Sequence, residues 1–365
     1  MKIAVLGAGN GAQSVSADLS LRGHEVNIFN RTKEKIEPII QSKGIEIVGD
    51  IIQGFAKINL ATDNIREAIK KVDLIVIIVP SMAHSYMAQM CGPYLEDGQI
   101  IFINPGHTGG GLEFFMALKK LGIKKDVKIC ESASLTFICR IVGPAKVRIT
   151  YRFKNLLFSA LPALYTSELH DLIKSEFPGI IPAKNVLETG LNNYNAVLHP
   201  PGMLMNAGWI EFTKGNFKFY YEGITPSVGR VIEALDHERA SIAKKFGFKP
   251  HSYTDQAYES GLSSVKSESV CETVHAEEAN KFVKTGESLK DRYVEEDVGY
   301  GLVPMAQIAN IVNVPTPTMD SLIQLANIAN QIDYHKTGRN LEKMGLNRLK
   351  NVGELTEFVN LIKII

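Results

Sequence analysis

The sequence predicts an α/β N-terminal domain built on a mostly parallel sheet, followed by an all-α C-terminal domain. Three observations predict it. A short apolar run at residues 2–6 passes through a glycine turn into a helical stretch and then a second apolar run at 25–29. Further runs, Leu74 to Val79 and Ile100 to Ile103, are unbroken by polar residues, as strands covered on both faces of a parallel sheet require. Near residue 186 the β-branched runs stop, and stretches of 3.6-residue period take over at 228–246, 267–281, 305–312 and 320–332. The expected domains are therefore 1–186 and 187–365.

The first element is the most informative. Lys2-Ile3-Ala4-Val5-Leu6 reads as a buried strand, and Gly7-Ala8-Gly9-Asn10-Gly11-Ala12 follows it directly. Val15, Ala17, Leu19 and Leu21 then lead to Arg22-Gly23, a helix stop, before the strand Glu25-Val26-Asn27-Ile28-Phe29. Strand, glycine turn, helix, strand is the dinucleotide-binding unit of a Rossmann domain. Gly7 permits the tight turn, Gly9 lets backbone approach a pyrophosphate, Asn10 and Gly11 open the helix, and Ala12 keeps that helix close to the sheet. The helix N-terminus offers unpaired N–H groups to phosphate. After the second strand an NAD site would carry a carboxylate for the ribose hydroxyls, but this chain has Asn30, Arg31 and Thr32. A guanidinium matches a 2′-phosphate in charge and in its donor fork, so NADP is the favoured cofactor and NAD stays open. The other reading of Arg31 is that it stacks on adenine or faces water.

Bulk properties lend no support to other classes. A net charge of +1 supplies no basic patch that would argue for nucleic acid. The apolar opening is broken by glycines too early for a signal peptide, and the longest later apolar run is too short to cross a bilayer. The four cysteines form no C-x-x-C pair and no zinc spacing. They read as reduced thiols of a cytoplasmic protein with no metal site. Small molecules are the expected partners, and a homodimer is compatible with the chain.

Between these landmarks the elements follow in order. A helix is expected over 33–42, then a pair of short strands at 44–49 and 54–58, then a helix at 64–71 capped by Asp63. The strand at 73–80 delivers Pro80 to the cofactor end of the sheet, and Ser81 is expected to cap the next helix. The strand at 99–103 delivers Asn104-Pro105-Gly106-His107-Thr108-Gly109-Gly110-Gly111. That second glycine-rich loop sits at the carboxyl end of a strand, where open α/β sheets bind ligands; a plain turn is the alternative. Strands at 128–131, 137–151 and 156–160 and a helix at 166–175 complete the domain.

A nicotinamide enzyme needs a group that exchanges a proton as hydride moves. Of the nine histidines, His170, His237, His275 and His335 sit in charged helical contexts and His24 in the turn before a strand, while His84 and His107 lie near strand ends. His199 is the candidate chosen. It lies in the first stretch of the helical domain, where the amides Asn192, Asn193, Asn195 and Asn206 punctuate apolar residues. Pro200 and Pro201 follow it and are expected to break the helix and hold the imidazole at a bend. A capping or core histidine is the alternative. The acidic stretch Glu295-Glu296-Asp297 is a candidate source of a carboxylate partner. Arg140, Asn193, Asn206 and His107 are candidate substrate binders.

Taken together, the glycine turn, Asn104 to Gly110, Leu198-His199-Pro200-Pro201, Arg292-Tyr293 with Glu296-Asp297, and Gly301-Leu302-Val303-Pro304 resemble the opine dehydrogenases of the octopine, nopaline and carboxyethyl-norvaline type. The resemblance runs over nearly the whole chain and extends to Leu235-Asp236-His237-Glu238-Arg239, Pro315-Thr316-Pro317 and Gly338-Arg339-Asn340-Leu341. It implies a Rossmann domain, a helical domain, and reductive condensation of an amino acid with a 2-oxo acid such as pyruvate. It implies His199 and Asp297 as the catalytic pair and Arg292 as a contact to the cofactor pyrophosphate. Members that use NAD usually carry an acidic residue where this chain has Asn30-Arg31. Two other functions remain open: a simple NADPH-dependent reductase of a 2-oxo acid, and a nucleotide sensor. Related two-domain reductases place a lysine at the start of the helical domain, and 192–206 contains none.

Overall fold

The computed structural model describes residues 1–49 and 51–362. The chain separates into two compact units: residues 1–106, 110–189 and 359 onward, and residues 107–109 with 190–358. The sequence places one boundary near 186 and leaves everything after it helical. In the structure the chain returns to the first unit from Val359, where Asn185 Nδ2 donates to Asn360 Oδ1 at 3.2 Å. Residues 363–365 of the expected second domain lie outside the described residues.

Among the described residues the first unit contains twelve strands: β1 (Lys2–Leu6), β2 (Glu25–Phe29), β3 (Gly44–Val48), β4 (Gly54–Lys57), β5 (Leu60–Thr62), β6 (Leu74–Ile77), β7 (Ile100–Ile103), β8 (Lys128–Ser132), β9 (Phe137–Gly143), β10 (Lys146–Arg152), β11 (Leu156–Leu161) and β12 (Ile180–Pro182). Eight form one sheet in the order β12-β11-β8-β7-β6-β1-β2-β5. Every pairing in it is parallel except β11 with β8. The chain leaves β1 toward β2 and β5, then resumes on the other side at β6. Strand order thus reverses beside β1, which is where open α/β sheets bind ligands. All residues of β6 and β7 are buried; each such Ile or Leu contributes roughly 1.5–3 kcal/mol of burial.

The remaining strands make a second sheet, β4-β3-β10-β9, that the sequence pattern does not predict. β3 and β4 form the expected antiparallel pair, but β3 also pairs in parallel with β10. Both this sheet and β2 pack against the Asn10–Leu21 helix. Gln13, Ser14, Ser16 and Asp18 are therefore buried along with the helix's apolar residues. Asp18 takes ion pairs from Arg22 at 2.6 Å and Arg152 at 2.8 Å.

Two expected caps are corrected. Asn64, not Asp63, caps the Ile65–Ile69 helix, its side chain accepting from the Arg66 N–H. Ser81 begins a 3₁₀ turn, Ser81–Ala83, and the α-helix starts only at His84.

The second unit is helical. Its longest element, Pro226–Lys245, starts with proline at the first position and ends with Lys244 and Lys245, in keeping with both end preferences. Val228, Ile232, Leu235 and Ile242 bury one stripe. The Asp236-His237-Glu238-Arg239 motif cross-links this helix to its surroundings. Arg239, fully buried, donates to Asp236, Leu191 O and His251 O. Glu238 accepts the N–H groups of Thr318 and Met319 at the start of the Pro317–Asn330 helix. The stretch expected as one helix over 267–281 is broken into Val270–His275 and a 3₁₀ turn, Glu278–Asn280.

Candidate active site

In the first unit the glycine turn closes just past β1. Gly7 has φ +131° and its N–H donates to Phe29 O at 2.8 Å. A Cβ there would lie 2.1 Å from Ile78 O, so only glycine fits. Gly9 differs: a Cβ on it would meet no atom within 4 Å. It is the N-cap of the Asn10–Leu21 helix: its carbonyl accepts the Gln13 N–H at 3.0 Å, and with no side chain it leaves the amides before Gln13 uncapped. Asn10 Oδ1 accepts the Ile141 N–H at 2.8 Å, and Ala12 is fully buried. At the end of β2, Asn30 Nδ2 donates to Thr32 O at 3.0 Å, and the Arg31 guanidinium lies 5.3 Å from the Tyr86 ring centroid. Pro80 is exposed beyond β6. These residues fit a dinucleotide: an approachable glycine at a helix N-terminus and a cation where a ribose phosphate would lie.

The loop after β7 is braced by Glu131, which is buried in β8. Its Oε2 accepts the Gly111 N–H at 2.7 Å, and its Oε1 accepts the Thr189 hydroxyl at 2.6 Å. A Cβ on Gly106 would lie 2.3 Å from Glu131 Oε2, and one on Gly109 would lie 2.3 Å from Met344 Sδ. Close packing, with Glu131 Cβ also 2.8 Å away, favours glycine at 106, and φ of +80° favours it at 109.

In the second unit His199 lies in the middle of the Asn195–Leu204 helix. The expected bend is corrected: Pro200 and Pro201 lie inside that helix, which continues to Leu204. Two backbone hydrogen bonds are forfeited there, and burial of every residue from Ala196 to Met203 holds the helix instead. Gly202 matters beside them. A Cβ on it would lie 2.6 Å from the Phe219 ring, so glycine admits Phe219 against the helix.

The imidazole of His199 is engaged on both nitrogens and one face. Asp297 Oδ2 is 2.7 Å from Nδ1, and Tyr220 Oη is 2.7 Å from Nε2. A carboxylate can only accept, so Nδ1 carries the hydrogen and Nε2 of the neutral ring accepts from the Tyr220 hydroxyl. The Tyr293 ring stacks on the imidazole at 3.8 Å between centroids and 11° between planes, and Phe219 meets it edge-on at 5.9 Å. Tyr293 and Asp297 are four apart in the Arg292–Asp297 helix, so one helical face supplies both the stack and the carboxylate. The adjacent face carries Arg292 and Glu296, 3.7 Å apart, and Glu296 Oε1 lies 3.4 Å from His107 Nδ1. His107 holds φ at +53°, a conformation non-glycine residues seldom adopt. Two π-helical turns flank the histidine's partners: Phe219–Gly223 contains Tyr220, and Val298–Leu302 begins immediately after Asp297. Such turns concentrate at functional sites.

Comparison with known proteins bears on what this geometry serves. Residues 182–330 match the family described as NAD/NADP octopine/nopaline dehydrogenase, alpha-helical domain, and residues 3–108 match the ketopantoate reductase PanE/ApbA family. Over 350 residues, 96% of each chain, the protein is 37% identical to an opine dehydrogenase of Arthrobacter sp. (strain 1C). The chain belongs to the opine dehydrogenase family. Vitopine synthase of Allorhizobium ampelinum is 25% identical over 94% of this chain and 95% of its own length. The fold of an octopine dehydrogenase solved with NADH and L-arginine superposes with a TM-score of 0.75 at 18% identity, covering 99% of this chain and 98% of that one. A yersinopine dehydrogenase with NADP+ bound gives 0.72 at 14% identity, covering 99% and 98%. As an opine dehydrogenase the protein is an NAD(P)-dependent oxidoreductase acting on CH–NH bonds of small molecules.

Within this opine dehydrogenase the structure sorts the sequence candidates. His199 and Asp297 meet directly, and His107, Arg292 and Glu296 form a neighbouring chain of contacts. Asn193 is buried and donates to the Thr108 hydroxyl at 3.3 Å. The amide nitrogen of Asn206 donates to Gly202 O and Gly223 O, so it staples the His199 helix to the turn that carries Tyr220. Arg140 belongs to β9 of the first unit, next to Ile141, whose N–H donates to Asn10. Sequence reasoning missed Tyr220, Tyr293 as a stacking ring, and Glu296 as a bridge. The i, i+4 pairs within 292–297 could have shown the last two. Among the described residues no group of three His, Cys, Asp or Glu could hold a metal ion, and no helix is long and apolar enough to cross a membrane.

Proposed function

We propose that the protein condenses an amino acid with a 2-oxo acid such as pyruvate and reduces the resulting imine to an opine, and that it runs the reverse oxidation. The observation that carries this reading is the buried His199–Asp297 pair, with 2.7 Å between Nδ1 and the carboxylate. The reduced nicotinamide supplies hydride to the imine carbon. His199 supplies and recovers the proton, an imidazole being able both to donate and to accept one. Asp297 fixes the tautomer and stabilises the imidazolium. Gly7, Gly9, Asn10, Gly11 and Ala12 form the pyrophosphate cradle, with Asn30, Thr32 and Pro80 around the rest of the dinucleotide. Arg31 gives a preference for NADP by pairing with the 2′-phosphate, and Arg292 adds a cation for the pyrophosphate. The four cysteines, all buried and none in a disulfide, suit a reducing cytoplasm.

The test is turnover of NADPH with pyruvate alone, amino acids alone, and both together, with mass spectrometry of the product. Oxidation only with both substrates, giving a secondary amine dicarboxylate, supports the reading. Oxidation with pyruvate alone makes the protein a simple reductase, and none makes it a sensor. His199→Ala should lose on the order of 10²–10⁴ in turnover with cofactor affinity kept. Asp297→Asn should lose nearly as much, and the double variant little more than the worse single, because groups acting as one unit are non-additive.

A further inference from the structure

An imidazole nitrogen has one lone-pair direction in the ring plane, and at His199 both are taken. Nδ1–H points to Asp297, and Nε2 accepts from Tyr220 at 2.7 Å. Tyr293 covers one ring face at 3.8 Å, and Phe219 packs edge-on. A substrate atom cannot hydrogen-bond to Nε2 while Tyr220 occupies that direction. Tyr220 is also held from elsewhere. Its turn is anchored by Asn206 Nδ2 donating to Gly223 O at 2.9 Å and by Phe219 N–H donating to Val283 O at 2.8 Å. Gly202 lets Phe219 seat against the histidine helix. The π-helical turn at Phe219–Gly223 costs regular helix geometry, and its effect here is to aim one phenol at one imidazole.

We propose that Tyr220 is the catalytic acid–base that faces the substrate, with His199 acting through it. The inference rests on the reading of His199 as the proton-exchanging group and adds the atom by which the proton leaves. In the direction of synthesis His199 is an imidazolium held by Asp297. The Tyr220 O–H bond breaks and its proton goes to the substrate nitrogen as the carbon gains hydride. The Nε2–H bond then breaks in turn and that proton restores the Tyr220 hydroxyl. His199 is left neutral, with the hydrogen-bond pattern observed here. In the direction of oxidation the substrate N–H proton passes to the Tyr220 oxygen while the phenolic proton passes to Nε2. No further oxidant or reductant enters. Phenol and imidazole in series let a weak acid work near neutral pH, because the imidazolium replaces each proton the phenol gives.

Tyr220→Phe keeps the ring and its packing and removes only the hydroxyl. In the cofactor-free protein, nitrogen-15 NMR of the histidine side chains should show the Nε2 resonance of His199 moving in Tyr220→Phe and staying in place in Tyr221→Phe, a control in the exposed neighbour. With NADPH, pyruvate and an amino acid mixture, kcat of Tyr220→Phe should fall about 10²-fold, while the KM for pyruvate changes little. Fluorotyrosine at 220, a more acidic phenol, should displace the basic limb of the pH profile to lower pH, which a structural role would not do. Tyr220→Phe turnover within about threefold of wild type, or above it, would overturn the inference while an inactive His199→Ala left the underlying reading standing. If His199→Ala itself stays within about tenfold of wild type, it is the reading of His199 that fails.

Discussion

Glu277 offers a test of the second unit that is independent of catalysis. Its carboxyl is 1% exposed. Tyr253 Oη donates to its Oε1 and Asn280 Nδ2 donates to its Oε2 at 2.6 Å, and neither partner is a cation. Burial pushes the carboxyl up from 4.5 to about 7, the two hydrogen bonds pulling it back only in part. A carboxyl with a raised folded-state value keeps its proton after the unfolded chain has lost it. Folding stability is then fully present below about 4.5, declines as pH rises, and levels off above about 7. At 1.36 kcal/mol for each pH unit the decline amounts to roughly 3 kcal/mol. Glu277→Gln mimics the protonated acid at every pH, including its demand that Asn280 turn its oxygen inward. The variant should therefore match wild type at pH 4.5 and exceed it by roughly 3 kcal/mol at pH 8. The single tryptophan, Trp209, lies in this same unit. Its fluorescence during urea unfolding, recorded at several pH values, reads the unit directly. Parallel stability curves for the two proteins from pH 4.5 to 8 would refute the argument.

Two further expectations concern the dinucleotide. Arg31→Asp should raise the KM for NADPH strongly and improve use of NADH, as steady-state kinetics with each cofactor would show; an unchanged ratio would leave Arg31 without a role in selection. Gly7 and Gly9 should separate folding from binding. Gly7→Ala, with its Cβ 2.1 Å from Ile78 O and φ at +131°, should lower the melting temperature, while Gly9→Val, at a position where an added Cβ meets nothing within 4 Å, should keep it and lose cofactor affinity by titration.

Legibility in the sequence followed the range of the interaction. The β1 strand, its glycine turn and the following helix could be read because every signal lies within thirty residues and each residue type has a local reason. His199 was legible as an odd polar residue in an apolar helix, and Asp297 through the resemblance. Tyr220 was not, since nothing at 219–223 announces a π-helical turn, and its tie to His199 depends on Gly202 and Asn206 from another helix. Pro200 and Pro201 misled for the converse reason: a local helix-breaking tendency of about 3 kcal/mol per proline is outweighed by a fully buried neighbourhood. The second sheet was invisible because its pairing joins two hairpins far apart in the chain. Nothing in the local sequence sets Glu277 apart from Glu278 beside it, and only the tertiary structure buries it.

The pairing of β3 with β10 has a consequence for how the protein is made. Glu46, Ile47 and Val48 lie in register with Lys146, Val147 and Arg148, one hundred residues later. During synthesis at ~5–20 residues per second, the β3–β4 hairpin must wait several seconds with the edge of β3 unpaired before its partner leaves the ribosome. An unpaired edge is an aggregation template, and so long a closure also raises the contact order of the first unit, slowing its folding. The nascent chain should therefore be most dependent on chaperones between the emergence of β4 and that of β10.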